Sequence, residues 1–144
     1  MRIEHNLERL GLAAQIVHAD CVDLSSWWDG RGFERVLADV PCSASGAVRR
    51  HPDIKWLRRP ADIPAFAAQQ ARILDALWRV LVRGGKLLYV TCSVFPQEND
   101  SVIEAFLQRT PDVRRLGLPA PDAAHCLPDA QHDGFFFALL EKRN

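Results

Sequence analysis

Two short runs in this sequence carry the residue types that covalent chemistry needs. The first is Asp39-Val40-Pro41-Cys42-Ser43-Ala44-Ser45-Gly46. The second is Thr91-Cys92-Ser93, followed by Pro96-Gln97-Glu98-Asn99. Each sets a cysteine among hydroxyl side chains just past an apolar run, and the first adds a carboxylate upstream. A thiolate is strongly nucleophilic near neutral pH, so either cysteine can attack an electrophilic carbon and form a covalent intermediate. The competing reading of an unpaired cysteine is a small buried hydrophobe. Asp39 reads either as an acid that stabilises charge developing on a bound substrate or as a cap for the loop after it.

These residues must be held by the elements that precede them. Ile3, Leu7 and Leu10 recur at helical spacing and Gly11 stops that helix. Ala14–His18 reads as a short strand ending in Ala19-Asp20, and Phe33–Asp39 as a second strand broken at Pro41. Residues 43–59 read as a loop. A long helix follows, with Asp62 as N-cap, Pro64 in its first turn and Gly84-Gly85 at its end. Its apolar face is Phe66, Ile73, Leu74, Leu77, Val80 and Leu81. Lys86–Thr91 reads as a strand buried on both faces. A helix is expected from about Gln97 to Arg109, with Val102, Ile103, Phe106 and Leu107 inward. The segment from Pro111 to Pro128 reads as mostly loop with a short strand near Val113, and Gly134 opens a last strand, Phe135–Leu140. Strands alternating with helices imply a mostly parallel α/β sheet, in which ligands bind beyond the carboxyl ends of the strands. Asp20, Asp39 with Cys42, and Cys92 each follow a predicted strand.

Composition narrows the class. A chain of 144 residues with 48% hydrophobic and 25% charged content has the size and make-up of one globular domain. Lys plus Arg and Asp plus Glu both total 18, so a polyanionic partner must be met by a local patch. That patch is the run from Arg49 to Arg59, where Arg49, Arg50, Lys55, Arg58 and Arg59 surround His51 and Trp56. Interleaved cations and an aromatic suit phosphate contact with base stacking; the plainer reading is a solvated loop with Trp56 in the core. Trp27, Trp28 and Trp78 read as packing residues. No apolar run approaches the roughly 20 residues that span a bilayer, and residues 1–6 lack a signal-peptide core. The four cysteines form no CxxC, and neither they nor His125 and His132 show metal-ligand spacing. The expectation is a cytoplasmic protein without metal or membrane association.

The two cysteine runs resemble the DAPCSGTG and TCS patterns of the Sun/Fmu family of RNA 5-methylcytosine methyltransferases. Arg49-Arg50-His51-Pro52-Asp53-Ile54-Lys55-Trp56 and Asp133-Gly134-Phe135-Phe136 are similar to its RsmB-type bacterial branch, which acts on small-subunit ribosomal RNA. The resemblance extends over nearly the whole chain. It implies an incomplete Rossmann-like, class I S-adenosylmethionine-dependent methyltransferase fold: a mostly parallel sheet with a C-terminal antiparallel strand, lacking the first two strands. Residues 1–144 would form the C-terminal portion of the catalytic domain. The implied reaction is methylation of cytosine carbon 5, with S-adenosyl-L-methionine as cofactor and ribosomal RNA as partner. A thiolate adding to carbon 6 breaks the ring's conjugation and makes carbon 5 nucleophilic.

By that resemblance Cys92 attacks, Cys42 assists breakdown of the adduct, and Asp39 lies beside both the base and the methyl end of the cofactor. DNA cytosine methyltransferases use the Pro-Cys cysteine as nucleophile, so the two roles stay open on sequence logic alone. Asp20 matches the acid that bonds the adenine edge, with Asp23 a rival, and Pro41 fixes the backbone presenting Cys42. Cofactor contacts are thus expected from Asp20, Asp39 and Pro41, and RNA contacts from Arg49, Arg50, Lys55, Arg58 and Arg59. Ser43, Ser45 and Gly46 are expected to shape the loop.

None of the eight glycines forms the Gly-rich loop with which this family holds its cofactor. That loop, the following ribose-binding acid and the family's N-terminal RNA-binding region would all precede Met1. The chain alone is therefore expected to bind S-adenosylmethionine poorly and to be inactive, and the alternative reading is a non-catalytic RNA-binding fragment. The absent strands would lie between those ending at Asp20 and Asp39. Their loss exposes an edge that invites dimerisation, swapping or local rearrangement.

Overall fold

The local signals for helix α1 (Arg2–Leu10) act as read: Gly11 takes φ +63°, a left-handed conformation that glycine adopts without a Cβ clash, and the helix stops there. The computed structural model describes residues 2–120 and 123–143. No residue of α1 is buried. After it the chain runs without regular structure to Asp20, so the expected strand over Ala14–His18 does not form. A strand exists only through ladder bonds to a neighbour, and among the described residues none lies beside this segment.

Strand β1 (Phe33–Asp39) has the predicted bounds. The expected loop over residues 43–59 contains a 3₁₀ turn, Ser45–Ala47, and a one-turn helix α2 (Ile54–Leu57). The long helix α3 (Asp62–Val80) begins with Asp62 inside its first turn, Ala61 holding the cap position. It ends at Val80, not at the glycines. There the chain enters β2 (Leu81–Thr91), and the Lys142 ammonium donates to the carbonyls of Trp78 (2.8 Å) and Leu81 (3.0 Å) at the helix end. Gly84-Gly85 instead forms a bulge inside β2. Phe33 pairs with Leu81 but Arg35 with Lys86, so the residues between are looped out, with Gly84 at φ +74°. A 3₁₀ turn, Pro96–Glu98, precedes helix α4 (Asp100–Arg109). Strands β3 (Val113–Leu116), β4 (His125–Cys126) and β5 (Phe135–Lys142) complete the chain. Pro121 and Asp122, within the expected loop, lie outside the described residues.

The sheet order is β1-β2-β5-β3, with β4 also on β5. The Rossmann-like α/β class holds, but parallel pairing is a smaller share than expected. Among the described residues only β1–β2 is parallel, because β5 inserts antiparallel between β2 and β3 and takes β4 on the same edge. Leu87, Tyr89, Phe136, Ala138 and Leu140 share one buried cluster with Ile73, Leu74 and Leu77 of α3 and Val102, Ile103 and Phe106 of α4. The opposite face is thinner: Leu88, Phe135, Phe137 and Leu139 are half-buried and Leu37 is 68% exposed. β2 is thus fully covered on one face only. Trp78 packs edge-on against Phe106 and its indole N–H donates to Asp112, whereas Trp27 and Trp28 flank the core half-buried. No helix among the described residues is long and apolar enough to cross a membrane. The outer edge of β1 has no partner among the described residues.

Candidate active site

Parallel pairing decides where the chemistry-bearing residues meet. Asp39 at the end of β1 pairs with Val90, and the Val40 N–H donates to the Val90 carbonyl (3.1 Å). Both strands therefore release their chains at the same sheet end. The Cys42 and Cys92 sulfurs come to 3.4 Å, each partly buried and neither in a disulfide. The Gly46 N–H donates to the Cys92 carbonyl (2.9 Å), and the Gly46 carbonyl accepts from Gly134 N–H (2.9 Å). A Cβ on Gly46 would sit 2.5 Å from the Gly134 carbonyl oxygen, so only glycine fits here.

The two thiols are electrostatically unequal. With Cys42 as the donor, the hydrogen bond between the two sulfurs lowers the Cys92 pKa from 9.0 to about 7. Burial and the charges of Asp39 and Glu98 oppose the shift. Cys42 is pushed up, first by the same hydrogen bond and then by burial, with partial relief from the Ala44 N–H. Of the pair, Cys92 is the thiol that ionises first, and Cys42 is the one that keeps its proton. Asp39 is exposed, and its carboxylate makes no capping hydrogen bond among the described residues, so it is free to meet a ligand.

Beneath the thiols lies a residue that sequence reasoning did not assign. Glu98, 0% exposed, accepts from the Ser43 N–H (2.7 Å), the Ser43 hydroxyl (2.5 Å), the Ser93 hydroxyl (2.6 Å) and the Gln70 amide (3.3 Å). One carboxylate thus ties the Cys42 loop to the Cys92 loop. Gln70 also donates to the Pro41 carbonyl (2.9 Å), and Ser45 accepts from Val94 N–H (3.0 Å). Asn99 accepts from Thr91 and donates to the Ser93 carbonyl. The run Pro96-Gln97-Glu98-Asn99 was the available signal: polar residues directly after a proline and a few positions beyond a cysteine motif. Its partner, fifty-odd positions upstream, could not be read. The loop-shaping role expected of Ser43, Ser45 and Gly46 matches these bonds.

The residues expected at a cofactor site share one open cleft. Asp20, Asp39 and Pro41 line a cavity of about 380 Å³ with Leu37, Ala38, Ile73 and Leu77 along its walls. Asp20 also accepts from Val22 N–H (3.0 Å). The rival Asp23 is turned to Ser25 and Ser26 and does not line the cleft.

The basic run separates into fixed and free cations. Asp133, 5% exposed, pairs with Arg50 (2.5 Å) and Arg49 (3.7 Å). Arg58 donates to the Ser43 carbonyl (2.7 Å) and lies over the Phe66 ring. Lys55 and Arg59 have no side-chain partner among the described residues. Trp56 is 88% exposed, which removes the alternative that placed it in the core.

A sequence profile of the 16S rRNA methyltransferase RsmB/F family matches residues 1–141. The chain is 50% identical to "Ribosomal RNA small subunit methyltransferase B" of Vibrio cholerae, covering 99% of this chain and 33% of that protein. It is 51% identical to the protein of the same name in Pseudomonas putida, covering 98% and 34%. The chain thus spans about a third of the length of these curated relatives. Among solved structures, a methyltransferase homolog protein from Pyrococcus horikoshii matches with TM-score 0.81 at 29% identity, covering 98% of this chain and 49% of that one. NSun6 from Pyrococcus horikoshii with SFG matches with TM-score 0.83 at 25% identity, covering 99% and 38%. A profile match from end to end, carried on a methyltransferase fold with both cysteine loops in place, shows that the chain belongs to the RsmB/F family of 16S rRNA methyltransferases, whose cofactor is S-adenosyl-L-methionine.

Proposed function

We propose that these residues form the base-modifying part of an enzyme that methylates carbon 5 of a cytosine in small-subunit ribosomal RNA. The observation that carries this reading is the thiol pair, 3.4 Å apart at the ends of two paired strands. Cys92 adds to carbon 6 of the cytosine, and the ring electrons move to carbon 5. Asp39, at the mouth of the same site, hydrogen-bonds the ring edge and stabilises charge as the thiolate adds. S-adenosyl-L-methionine supplies the methyl group. Carbon 5 then loses its proton to a base, the electrons of that C–H bond re-form the ring double bond, and the Cys92–carbon 6 bond breaks, with Cys42 as hydrogen-bond donor to the departing sulfur. The lowered pKa of Cys92 supports it, over the Pro-Cys cysteine, as nucleophile.

The cleft fits the cofactor in part. Its apolar wall would suit an adenine ring, Asp20 would offer an acceptor for the ring's amine, and the Asp39 carboxylate would favour a cationic sulfonium. No glycine-rich loop within the 144 residues completes it, so the chain alone holds the cofactor weakly and is inactive by itself. Residues 1–144 then act as the C-terminal portion of a catalytic domain. Arg49, Arg50, Lys55, Arg58 and Arg59 contact RNA phosphates, Lys55 and Arg59 most directly because they are unpaired. The open edge of β1 is the place for a further strand or a second copy to pair; monomeric scattering at high concentration removes the second copy.

The deciding experiment grafts the chain into the Vibrio cholerae relative in place of the matching third, with 16S rRNA and labelled cofactor. Cys42→Ala accumulates a denaturation-resistant RNA adduct, and Cys92→Ala forms none. The reverse pattern exchanges the two roles, and undiminished methylation in Cys92→Ala refutes the covalent route. A graft that binds RNA yet transfers no label favours the non-catalytic reading, which the missing glycine-rich loop supports.

A further inference from the structure

A second cavity, of about 420 Å³, lies against the thiol loops but contains neither thiol nor Asp39. Its lining is divided by chemistry. Val48, Ile54, Ile63 and Phe95 give an apolar floor, and Lys55 and Arg59 give a cationic rim. The volume falls in the roughly 300–1,000 Å³ range of small-molecule sites. Its wall is continuous with the reaction site: Phe95 follows closely on Cys92, Ser45 on Cys42, and the Ser45 hydroxyl accepting from Val94 N–H joins the two loops at the cavity's edge.

We propose that this cavity holds a nucleotide adjacent to the target cytosine on the same RNA strand. The assignment rests on the RNA reading above and extends it to a subsite. A base drawn out to reach a thiol leaves its neighbours unstacked, and single-stranded RNA meets proteins through such splayed bases on aromatic or apolar faces. Phe95 offers that face, 38% exposed at the cavity wall. The nucleotide's phosphate meets Lys55 and Arg59, which have no other partner among the described residues. Arg58, a third cation in the lining, is held by the Ser43 carbonyl and the Phe66 ring. An apolar floor alone would suit a peptide equally; the unpaired cations beside a site for nucleobase chemistry select a nucleotide.

The test uses a short single-stranded RNA with one cytosine and 4-thiouridine on either flank, bound to the chain, irradiated and mapped by mass spectrometry. Cross-links from one flank are expected at Phe95 or within residues 54–59. In parallel, Ile63→Trp fills the cavity from the half-buried first turn of α3. It is expected to weaken binding, read by fluorescence anisotropy, about tenfold, in line with the loss of one base–aromatic contact. Its Cys92 alkylation profile should match that of the parent, which establishes an intact fold. Cross-links only outside these residues, or undiminished binding by Ile63→Trp, overturn the proposal. If Lys55→Ala with Arg59→Ala abolishes binding while the filled cavity has no effect, the subsite fails and the RNA reading stands. If the parent chain binds no RNA, both fail. Retention of an acidic peptide but not RNA assigns the cavity to a protein partner and likewise overturns it.

Discussion

Replacing Cys42 by alanine removes the hydrogen bond that is the largest influence on Cys92. The remaining influences are burial and the charges of Asp39 and Glu98, all raising, against one backbone N–H that lowers. The thiol should therefore return to its ordinary 9.0 or above, from about 7. At pH 7 the thiolate fraction falls from about one half to about one per cent, roughly 50-fold. The more basic thiolate is intrinsically more reactive, by about 6- to 10-fold over two units with a Brønsted slope of 0.4–0.5. The net expectation is alkylation about 5- to 8-fold slower at pH 7, and about 6- to 10-fold faster at pH 10, where both forms are ionised. The two pH profiles must cross, a little above pH 8 by the same slope. Iodoacetamide labelling followed peptide by peptide isolates Cys92. Cys21, which burial and Asp20 push up, serves as an internal control that should not change. Profiles that keep the same inflection, or that shift in rate without crossing, would show that Cys42 does not set the Cys92 ionisation.

Five further outcomes follow from packing and charge. Gly46→Ala forces a Cβ against the Gly134 carbonyl and should lower stability by about 1–3 kcal/mol in urea unfolding; an unchanged midpoint would mean the close approach is not rigid. Ala44 stands at φ +58° where the family pattern has glycine, so Ala44→Gly should stabilise by about 0.5–1 kcal/mol, the left-handed strain less the added chain entropy. Arg50→Ala leaves the buried Asp133 with only the longer Arg49 contact and should destabilise by about 1–2 kcal/mol. Lys55→Ala should leave stability unchanged and reduce the slope of log affinity for single-stranded RNA against log salt by about 0.7. Glu98→Gln turns an amide N–H₂ toward donors from Ser43 and Ser93 and should destabilise by about 1–3 kcal/mol; a neutral result would mean that this carboxylate does not hold the two loops together.

Local chemistry was legible where a single residue decides the outcome. Gly11 ends α1 because its own backbone takes a positive φ, and Pro41 closes the expected bounds of β1. Cys42, Cys92 and Asp39 were identifiable as candidates because the motifs around them are contiguous. The Ala14–His18 segment looked like a strand from composition, yet a strand is a relation between two segments, and no described neighbour supplies the second. Gly84-Gly85 looked like a helix stop; only the register of β2 on β1, together with Lys142 arriving from the far end of the chain, shows it to be a bulge. The basic run read as five equivalent cations, and burial of Asp133 beside Arg49 and Arg50 divides it into structural and free members. Sequence by itself thus determined which residues can react and the periodicity of the elements that carry them, because those properties belong to one residue or one short run. Tertiary structure alone decided that two cysteines far apart in the chain come within hydrogen-bond distance, that Glu98 underlies both, and which cations remain for a ligand. Those facts depend on distances of a few ångströms between segments, and such distances come into being only when the sheet pairs.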